Sequence, residues 1–268
     1  ATTHDYALSP ADLARLRTAQ LVVWLGSPGE PYLRKVMTRQ PNDLRWGEQP
    51  GLLQLPLRAA LHDGHTGHED YSNQDHASHE DHGQESKADA ADKHGHSGFD
   101  PHLWWSAANA LVLARALEQR ISRDRPQWSA TLQQNRAALE TRLHQQLNEQ
   151  RRHFAAGYKP FLLAHDAFFY LEEDLGIASE AALVLDPENR PGLKHLLELK
   201  QRVAQQNIGC VLTGALVPDS LIDKIDGQPP LLRLSIDELG WDYSGERYSD
   251  WLALTYGKVM ECAGLSVD

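Results

Sequence analysis

Beyond Gly157 the sequence alternates short apolar runs with helical stretches, and this alternation constrains the fold more than any other feature. The apolar runs read PFLLA, ALVLD, IGCVLTG and LLRLSI, and each is followed by a segment with helical spacing of apolar residues, the last being YSDWLALTYGKVMECAG. Strands that alternate with helices in this way are typical of a parallel sheet covered by helices. We therefore predict an α/β protein whose residues 157–268 form a C-terminal lobe.

A long helical segment precedes this lobe. Residues 126–156 contain no internal Gly or Pro after the break at Pro126. A helix of about 30 residues is roughly 45 Å long, which exceeds what a small domain needs. We interpret it as a helix that links two lobes.

The first 125 residues are predicted to form the N-terminal lobe. Ser9 is a candidate N-cap, Pro10 occupies the first helical position and Asp12 supplies the acid of a capping box. The apolar run LVVWLGS that follows is typical of a strand buried on both faces, and a further helix is predicted from Ser106 to about Ile121. Both lobes are thus expected to contain parallel sheets flanked by helices.

The N-terminal lobe is interrupted by residues 62–96, which we call the His-rich segment. Its histidines are His62, His65, His68, His76, His79, His82, His94 and His96. Removing its nine acids and two lysines from the formal charge of −11 would leave −4 (−11 minus −7). Tyr71 is its single large apolar residue, so we expect the segment to be disordered without metal and to bind zinc at several weak auxiliary sites. The alternative is a solvated acidic linker whose histidines are incidental.

Composition excludes some functions and leaves others open. The net charge of −11 and the lack of clustered Lys and Arg argue against nucleic-acid binding. No apolar run approaches the roughly 20 residues that span a bilayer. Cys210 and Cys262 share no zinc-knuckle spacing, so one disulfide or two buried thiols remain. No signal peptide is visible at Ala1, which fits a processed chain as well as a cytosolic one.

Several polar residues stand where a parallel sheet binds ligands, outside the carboxyl ends of its strands. His165 follows FLLA, and Asp237 follows LRLSI. His102 and His4 each lie in a loop just before a predicted helix. Taken singly, each of these histidines could equally be exposed or capping, and His144, His153 and His195 are interpreted as solvated residues of helix faces.

Five ordered motifs give the chain a family resemblance. HDYALSPADLARLRTAQLVVWLG, FDPHLWWS, LLAHDAFFY, GCVLTG and SIDELG, with a His-rich insertion before the second and a long helix before the third, resemble the ZnuA-type zinc-binding solute-binding proteins of bacterial ABC importers. The resemblance covers essentially the whole chain. It implies two α/β lobes joined by one long helix, with the metal in the cleft between them.

Carried over residue by residue, the resemblance implies that His4, His102 and His165 bind zinc. It gives the fourth position to Asp237 or to a water molecule. Imidazole nitrogen suits Zn²⁺, whereas Mn²⁺ and Mg²⁺ sites depend on carboxylate and water oxygen, so the ligand set independently favours zinc. Copper and nickel would also bind such a site, so metal availability must contribute to selection.

The resemblance also implies a Cys210–Cys262 disulfide, a periplasmic location, a membrane permease as partner and a monomeric protein. Three features depart from the family pattern. Thr3 stands where some members have Glu, residues 213–215 lack the usual acid after the CV strand, and the chain starts almost at the His4 motif. The first lobe would then lack a strand and a helix.

Two other functions compete with zinc transport. A three-histidine zinc site with an open position could serve a hydrolase or hydratase by acidifying a bound water. Asp166 is the nearest candidate base, but no HExxH, GxSxG or paired-carboxylate motif is present, so we predict that the chain is not an enzyme. A simple zinc buffer is the second alternative, and the His-rich segment alone would support it.

Overall fold

The computed structural model describes residues 6–27, 29–38, 42–58, 99–185 and 190–266. His4 and the His-rich segment lie outside these residues, so the predictions made for them are not examined by the structure. Within the described ranges, no helix has the length and apolar content needed to cross a membrane.

A four-stranded parallel sheet forms the C-terminal half of the molecule, and we call it the C-terminal sheet. Its strands are β3 (Leu162–His165), β4 (Ala181–Val184), β5 (Cys210–Thr213) and β6 (Leu232–Ser235), in the order β4-β3-β5-β6. Every neighbouring pair is parallel. The helices that alternate with them are α5 (Phe169–Leu175), α6 (Leu193–Gln205), α7 (Asp219–Ile222) and α8 (Tyr248–Cys262). The predicted α/β fold class is confirmed.

The two central strands bury side chains on both faces of this sheet. Leu162 pairs with Val211, and both side chains pack in an apolar cluster that includes residues of α6. Leu163 pairs with Leu212, and both pack in the cluster on the other face. Because successive side chains of a strand point to opposite faces, a continuous apolar run is what this position requires.

The N-terminal sheet is smaller within the described residues. Strands β1 (Val22–Trp24) and β2 (Asp43–Arg45) pair in parallel. Helix α1 (Pro10–Thr18) begins with the predicted capping box, and α2 (Arg34–Met37) lies between the strands in sequence. Val22, Trp24, Leu33 and Met37 form a separate apolar cluster here.

The predicted long helix is present. It is α4 (Ser129–Ala155), which has 27 residues and so is about 40 Å long. It packs against α3 (Ala107–Asp124), where Arg136 forms an ion pair with Glu118, and it also contacts α8. The lobe boundaries at residues 125 and 157 stay a prediction.

The Cys210–Cys262 disulfide is also present, with a Cα–Cα distance of 5.3 Å. It joins the start of β5 to the end of α8 across 52 residues. The residues alone did not decide between a disulfide and two buried thiols, and the bond was predicted from the family resemblance.

An aromatic contact ties the chain before α3 to the C-terminal half. Trp105 has no exposed surface, and its ring stacks on Trp251 of α8 with centroids 4.6 Å apart. The N-terminus of α3 is held in the same region, because the Asp174 carboxylate accepts a hydrogen bond of 2.6 Å from the Ala107 N–H.

Candidate metal centre

His165 is the last residue of β3, at the carboxyl end of the C-terminal sheet. Its side chain is 2% exposed, and the strand continues its pairing beyond it through a hydrogen bond from Asp166 N–H to the Val184 carbonyl. A histidine at this position is held by β4 and β5 on either side of its strand. The predicted location at the rim of the sheet is confirmed.

His102 is held by a turn instead. The Asp100 carboxylate accepts a 2.9 Å hydrogen bond from the His102 backbone N–H and lies 2.6 Å from its Nδ1. The Tyr170 hydroxyl donates to the Asp100 carbonyl. His102 is buried, and its backbone precedes a short 3-10 turn that leads to Ser106, the N-cap of α3.

The two imidazole rings meet although they come from distant parts of the sequence. Their centroids are 5.3 Å apart, with an angle of 76° between the planes. Zinc binds imidazole nitrogen at about 2.0–2.1 Å, so two rings at this separation can place one nitrogen each on a single ion. The structure therefore brings together His102 and His165, two of the residues predicted from the sequence.

A carboxylate that the sequence analysis did not select lies beside them. Glu238 Oε2 is 3.3 Å from His165 Nδ1, and the Glu238 side chain is 9% exposed. Trp104 Nε1–H donates to the Glu238 carbonyl, which fixes this part of the loop. The available sequence signal was its place in SIDELG, directly after Asp237 and beyond a strand.

Asp237 itself closes a turn. Its two carboxylate oxygens accept hydrogen bonds from the backbone N–H groups of Trp241 and Asp242, at 2.9 and 2.7 Å. Its carbonyl accepts from Trp251 Nε1–H. A role for Asp237 as fourth ligand stays a prediction.

The carboxylate of Asp166, next to His165, is paired with a cation. Arg58 Nε lies 2.8 Å from Asp166 Oδ1, and the same guanidinium forms an ion pair with the buried Glu172. Its Cζ lies 4.6 Å from the centroid of the Phe169 ring. Burial raises the pKa of Asp166 to about 6, although Arg58 opposes this shift. The residue considered as a general base is thus committed to an ion pair.

The two ends of chain that flank residues 59–98 are joined beside this centre. Asp100 N–H donates a 2.7 Å hydrogen bond to the Leu55 carbonyl, and Pro56 forms an antiparallel bridge with Phe99. The Tyr170 hydroxyl accepts from Leu55 N–H while donating to Asp100. We call these joined residues, 55–56 and 99–100, the clasp.

The other histidines of the described residues, His144, His153 and His195, lie elsewhere. His144 and His153 are exposed on α4, as predicted. His195 is partly buried on α6, where its Nε2 lies 3.1 Å from the Ala182 carbonyl oxygen. In the described part of the chain, no group of three metal-binding side chains is found. The third predicted ligand, His4, lies outside that part.

The fold is that of a metal-type solute-binding protein. Residues 1–262 match the family model described as zinc-uptake complex component A, periplasmic, or ZnuA. This chain belongs to that family.

Curated relatives agree with this assignment. The chain is 30% identical to the high-affinity zinc uptake system protein ZnuA of Haemophilus ducreyi over 246 residues, covering 90% of this chain and 75% of the relative. It is 28% identical to the Yersinia pestis protein of the same name over 251 residues, covering 90% and 74%.

Solved structures share the fold. A crystal structure of ZnuA matches with a TM-score of 0.72 at 17% identity, covering 97% of this chain and 86% of that one. A mutant laminin-binding adhesin from Streptococcus agalactiae also matches with a TM-score of 0.72 at 17% identity, covering 98% and 88%. Identities this low support the fold alone.

Proposed function

We propose that this chain captures Zn²⁺ in the periplasm with His4, His102 and His165 as ligands and delivers the ion to an ABC importer. The convergence of the His102 and His165 rings, 5.3 Å apart, is the observation that carries the proposal. Membership of the zinc-uptake family supports both the ion and its destination. A water molecule or a carboxylate completes the tetrahedron, with Asp237 as the residue that the sequence predicted for this position.

The chemistry of the centre supports zinc as cargo. His102 and His165 each have a carboxylate at Nδ1, namely Asp100 for His102 and Glu238 for His165. A carboxylate at the second ring nitrogen is the usual support of a zinc-binding histidine, since it fixes the tautomer and raises ligand basicity. Neutral imidazole ligands with few oxygen donors favour zinc over manganese or magnesium.

The candidate metal centre fits zinc transport better than catalysis. A zinc hydrolase needs a base that can take a proton from the bound water. The carboxylate of Asp166 already forms an ion pair with Arg58, 2.8 Å away. The relatives are uptake components, and we infer that this chain is likewise not an enzyme. Turnover of activated esters by the zinc-loaded protein, lost in His165→Ala, would contradict this inference.

The His-rich segment acts, in this proposal, as an auxiliary zinc collector. The clasp supports this role, because it joins the chain on the two sides of residues 59–98 next to the buried His102 turn. Zinc bound anywhere along a tethered segment is present near the cleft at a high effective concentration. The auxiliary ligands are the segment's histidines identified from the sequence.

Location and partner follow from the same proposal. The Cys210–Cys262 disulfide is of the kind that persists in oxidising compartments such as the periplasm. We propose that the protein acts as a monomer and hands zinc to a membrane permease.

The ligand assignment is tested by zinc affinity in a variant that lacks residues 62–96. His4→Ala, His102→Ala and His165→Ala should each lower the affinity by more than about 100-fold, since even supporting residues of zinc sites contribute 10- to 100-fold. His144→Ala and His153→Ala are matched controls on an exposed helix face and should leave it unchanged. Chelator competition measures all five.

Either of two results would overturn the proposal. The first is an unchanged affinity in His102→Ala or His165→Ala. The second is failure of the deletion variant to hold one zinc ion against a chelator, because the His-rich segment would then be part of the primary site. The expected result is one tight ion in the deletion variant and a higher total stoichiometry in the full chain.

A further inference from the structure

Glu238 occupies an unusual position for a carboxylate. Its side chain is almost fully buried, and its Oε1 has no hydrogen-bond partner within the described residues. Burial of a carboxylate oxygen without a hydrogen-bond partner is unfavourable, so a retained one points to a function. The other oxygen, Oε2, faces His165 Nδ1.

The space for this carboxylate is created by Gly214. A Cβ atom at residue 214 would lie 1.9 Å from Glu238 Oε1 and 2.8 Å from the Glu238 Cδ. Gly214 directly follows β5, and β5 pairs with β6 up to Thr213 and Ser235, so the two loops leave the sheet side by side. A side chain at residue 214 would therefore displace the Glu238 carboxylate from its present position.

The same position is where the sequence departs from the family pattern. An acid was expected shortly after the CV strand, and residues 213–215 do not supply one. In the structure the Glu238 carboxylate reaches over Gly214 from the neighbouring loop.

We propose that Glu238 is the positioning residue of His165, and that Gly214 is required for it to reach that ring. The carboxylate accepts a hydrogen bond from Nδ1–H, which leaves Nε2 as the nitrogen that binds the ion. Asp100 has the equivalent place at Nδ1 of His102, at 2.6 Å. This inference rests on the proposed function, in that it takes His165 as a zinc ligand.

The competing role for Glu238 is that of a direct ligand, and the choice of substitution separates the two. An amide oxygen at the same place can still accept a hydrogen bond from Nδ1–H, but it is a poor zinc ligand. Glu238→Ala should lower zinc affinity by about 10- to 100-fold, as loss of a supporting carboxylate does. Glu238→Gln should recover most of that loss. Equal losses in the Ala and Gln variants would overturn the positioning role.

Cobalt provides a readout of the ligand set itself. In the variant lacking residues 62–96, the visible absorption bands of bound Co²⁺ should keep their positions and intensities in Glu238→Ala, because the atoms that bind the ion are unchanged. A changed spectrum would mean that a ligand has been lost and would overturn the proposal. Glu246→Ala removes an exposed carboxylate from the same C-terminal region and is the matched control.

The role of Gly214 is tested by a double-mutant cycle. Gly214→Ala alone should lower zinc affinity by about as much as Glu238→Ala, because the added methyl group displaces the carboxylate. In the double variant the two effects should not add, since no carboxylate remains to be displaced. Additive losses would contradict the assignment. Thermal unfolding of the metal-free variants verifies that each one folds, and the double variant removes the clash should Gly214→Ala not fold.

Failure of this inference is distinguishable from failure of the proposed function. If His165→Ala loses zinc while Glu238→Ala binds normally, Glu238 has no positioning role and the zinc site stands. If His165→Ala binds normally, the zinc site itself is wrong.

Discussion

The two sheets of this molecule support the candidate metal centre in different ways. The C-terminal sheet has four strands, with β3 and β5 buried on both faces, and it carries His165 at the end of β3. The N-terminal sheet has two strands in the described residues, and Val23 in its first strand is 41% exposed. His102 comes from neither sheet.

The comparison shows that the position of His102 depends on residues of the C-terminal half. The Tyr170 hydroxyl holds the His102 turn by a hydrogen bond, and Trp105 stacks on Trp251. The N-terminus of α3 is hydrogen-bonded to the Asp174 carboxylate. Tyr170, Trp251 and Asp174 all belong to helices that alternate with the strands of the C-terminal sheet. The C-terminal half therefore positions one histidine directly and the other through packing.

Replacement of Trp105, which stacks on Trp251, should have the largest effect on stability. Trp105→Ala should lower the free energy of unfolding by about 3–5 kcal/mol, because a fully buried aromatic side chain is lost, and it should also weaken zinc binding through His102. Trp128→Ala, at a residue that is 52% exposed, is the control and should change stability by less than about 0.5 kcal/mol. Denaturant unfolding measures both. A loss below 1 kcal/mol in Trp105→Ala would show that the two regions are independent.

The disulfide should stabilise the C-terminal sheet without shaping the metal centre. Replacing Cys210 and Cys262 together by Ala should lower the free energy of unfolding by about 2–4 kcal/mol. Zinc affinity should stay within a few-fold, because Cys210 begins β5 and the centre lies beyond the other end of that strand. Unreduced, denatured wild type should release no free thiols. A large loss of affinity in the double variant would mean that the sheet transmits strain along β5.

The burial of Asp174 beside the N-terminus of α3 should make stability depend on pH. Burial raises the pKa of Asp174 to about 6, above its unfolded value of 3.8, so the folded state holds the proton more tightly. The free energy of unfolding should therefore fall as pH rises from about 4 to about 6, by roughly 2–3 kcal/mol from this group. Metal-free Asp174→Asn should lack this component. Parallel pH profiles of the two proteins measure it, and identical slopes would contradict it.

The N-terminal region should show the smallest effect. Ser9→Ala removes the cap of α1, whose hydroxyl accepts from Asp12 N–H, and should lower stability by about 1 kcal/mol. Thr18→Ala, at the other end of the same helix, is the matched control for loss of a hydroxyl. Zinc affinity should be unchanged in both. A tenfold loss of affinity in Ser9→Ala would show that α1 positions His4 and that the N-terminal region contributes more than this comparison allows.

The C-terminal sheet could be predicted from sequence because its signals are local. Buried strands require continuous apolar runs, and the helix between two parallel strands requires length and amphipathicity, so both are visible in any short window. The same is true of the Ser9 capping box and of the long helix, whose lack of Gly and Pro is a local property. His165 could be placed at the sheet rim for the same reason.

The carboxylate partner of His165 could not be found in this way. Glu238 approaches His165 across 73 positions, and it does so because residue 214 has no side chain. A glycine after a strand gives no local indication of what fills the space above it. Asp237, its neighbour, had the stronger sequence argument because it matched a family motif, yet its oxygens are hydrogen-bonded to the turn at Trp241 and Asp242.

The clasp should make the geometry of the candidate metal centre independent of the length of the His-rich segment. Leu55 is hydrogen-bonded to Asp100, and Pro56 forms a bridge with Phe99, so the chain on the two sides of residues 59–98 is joined directly. The entropy of closing a loop grows only with the logarithm of its length, at about 0.6 kcal/mol for each doubling. We therefore expect insertions and deletions between residues 59 and 98 to change the free energy of folding little and to leave the clasp as it is.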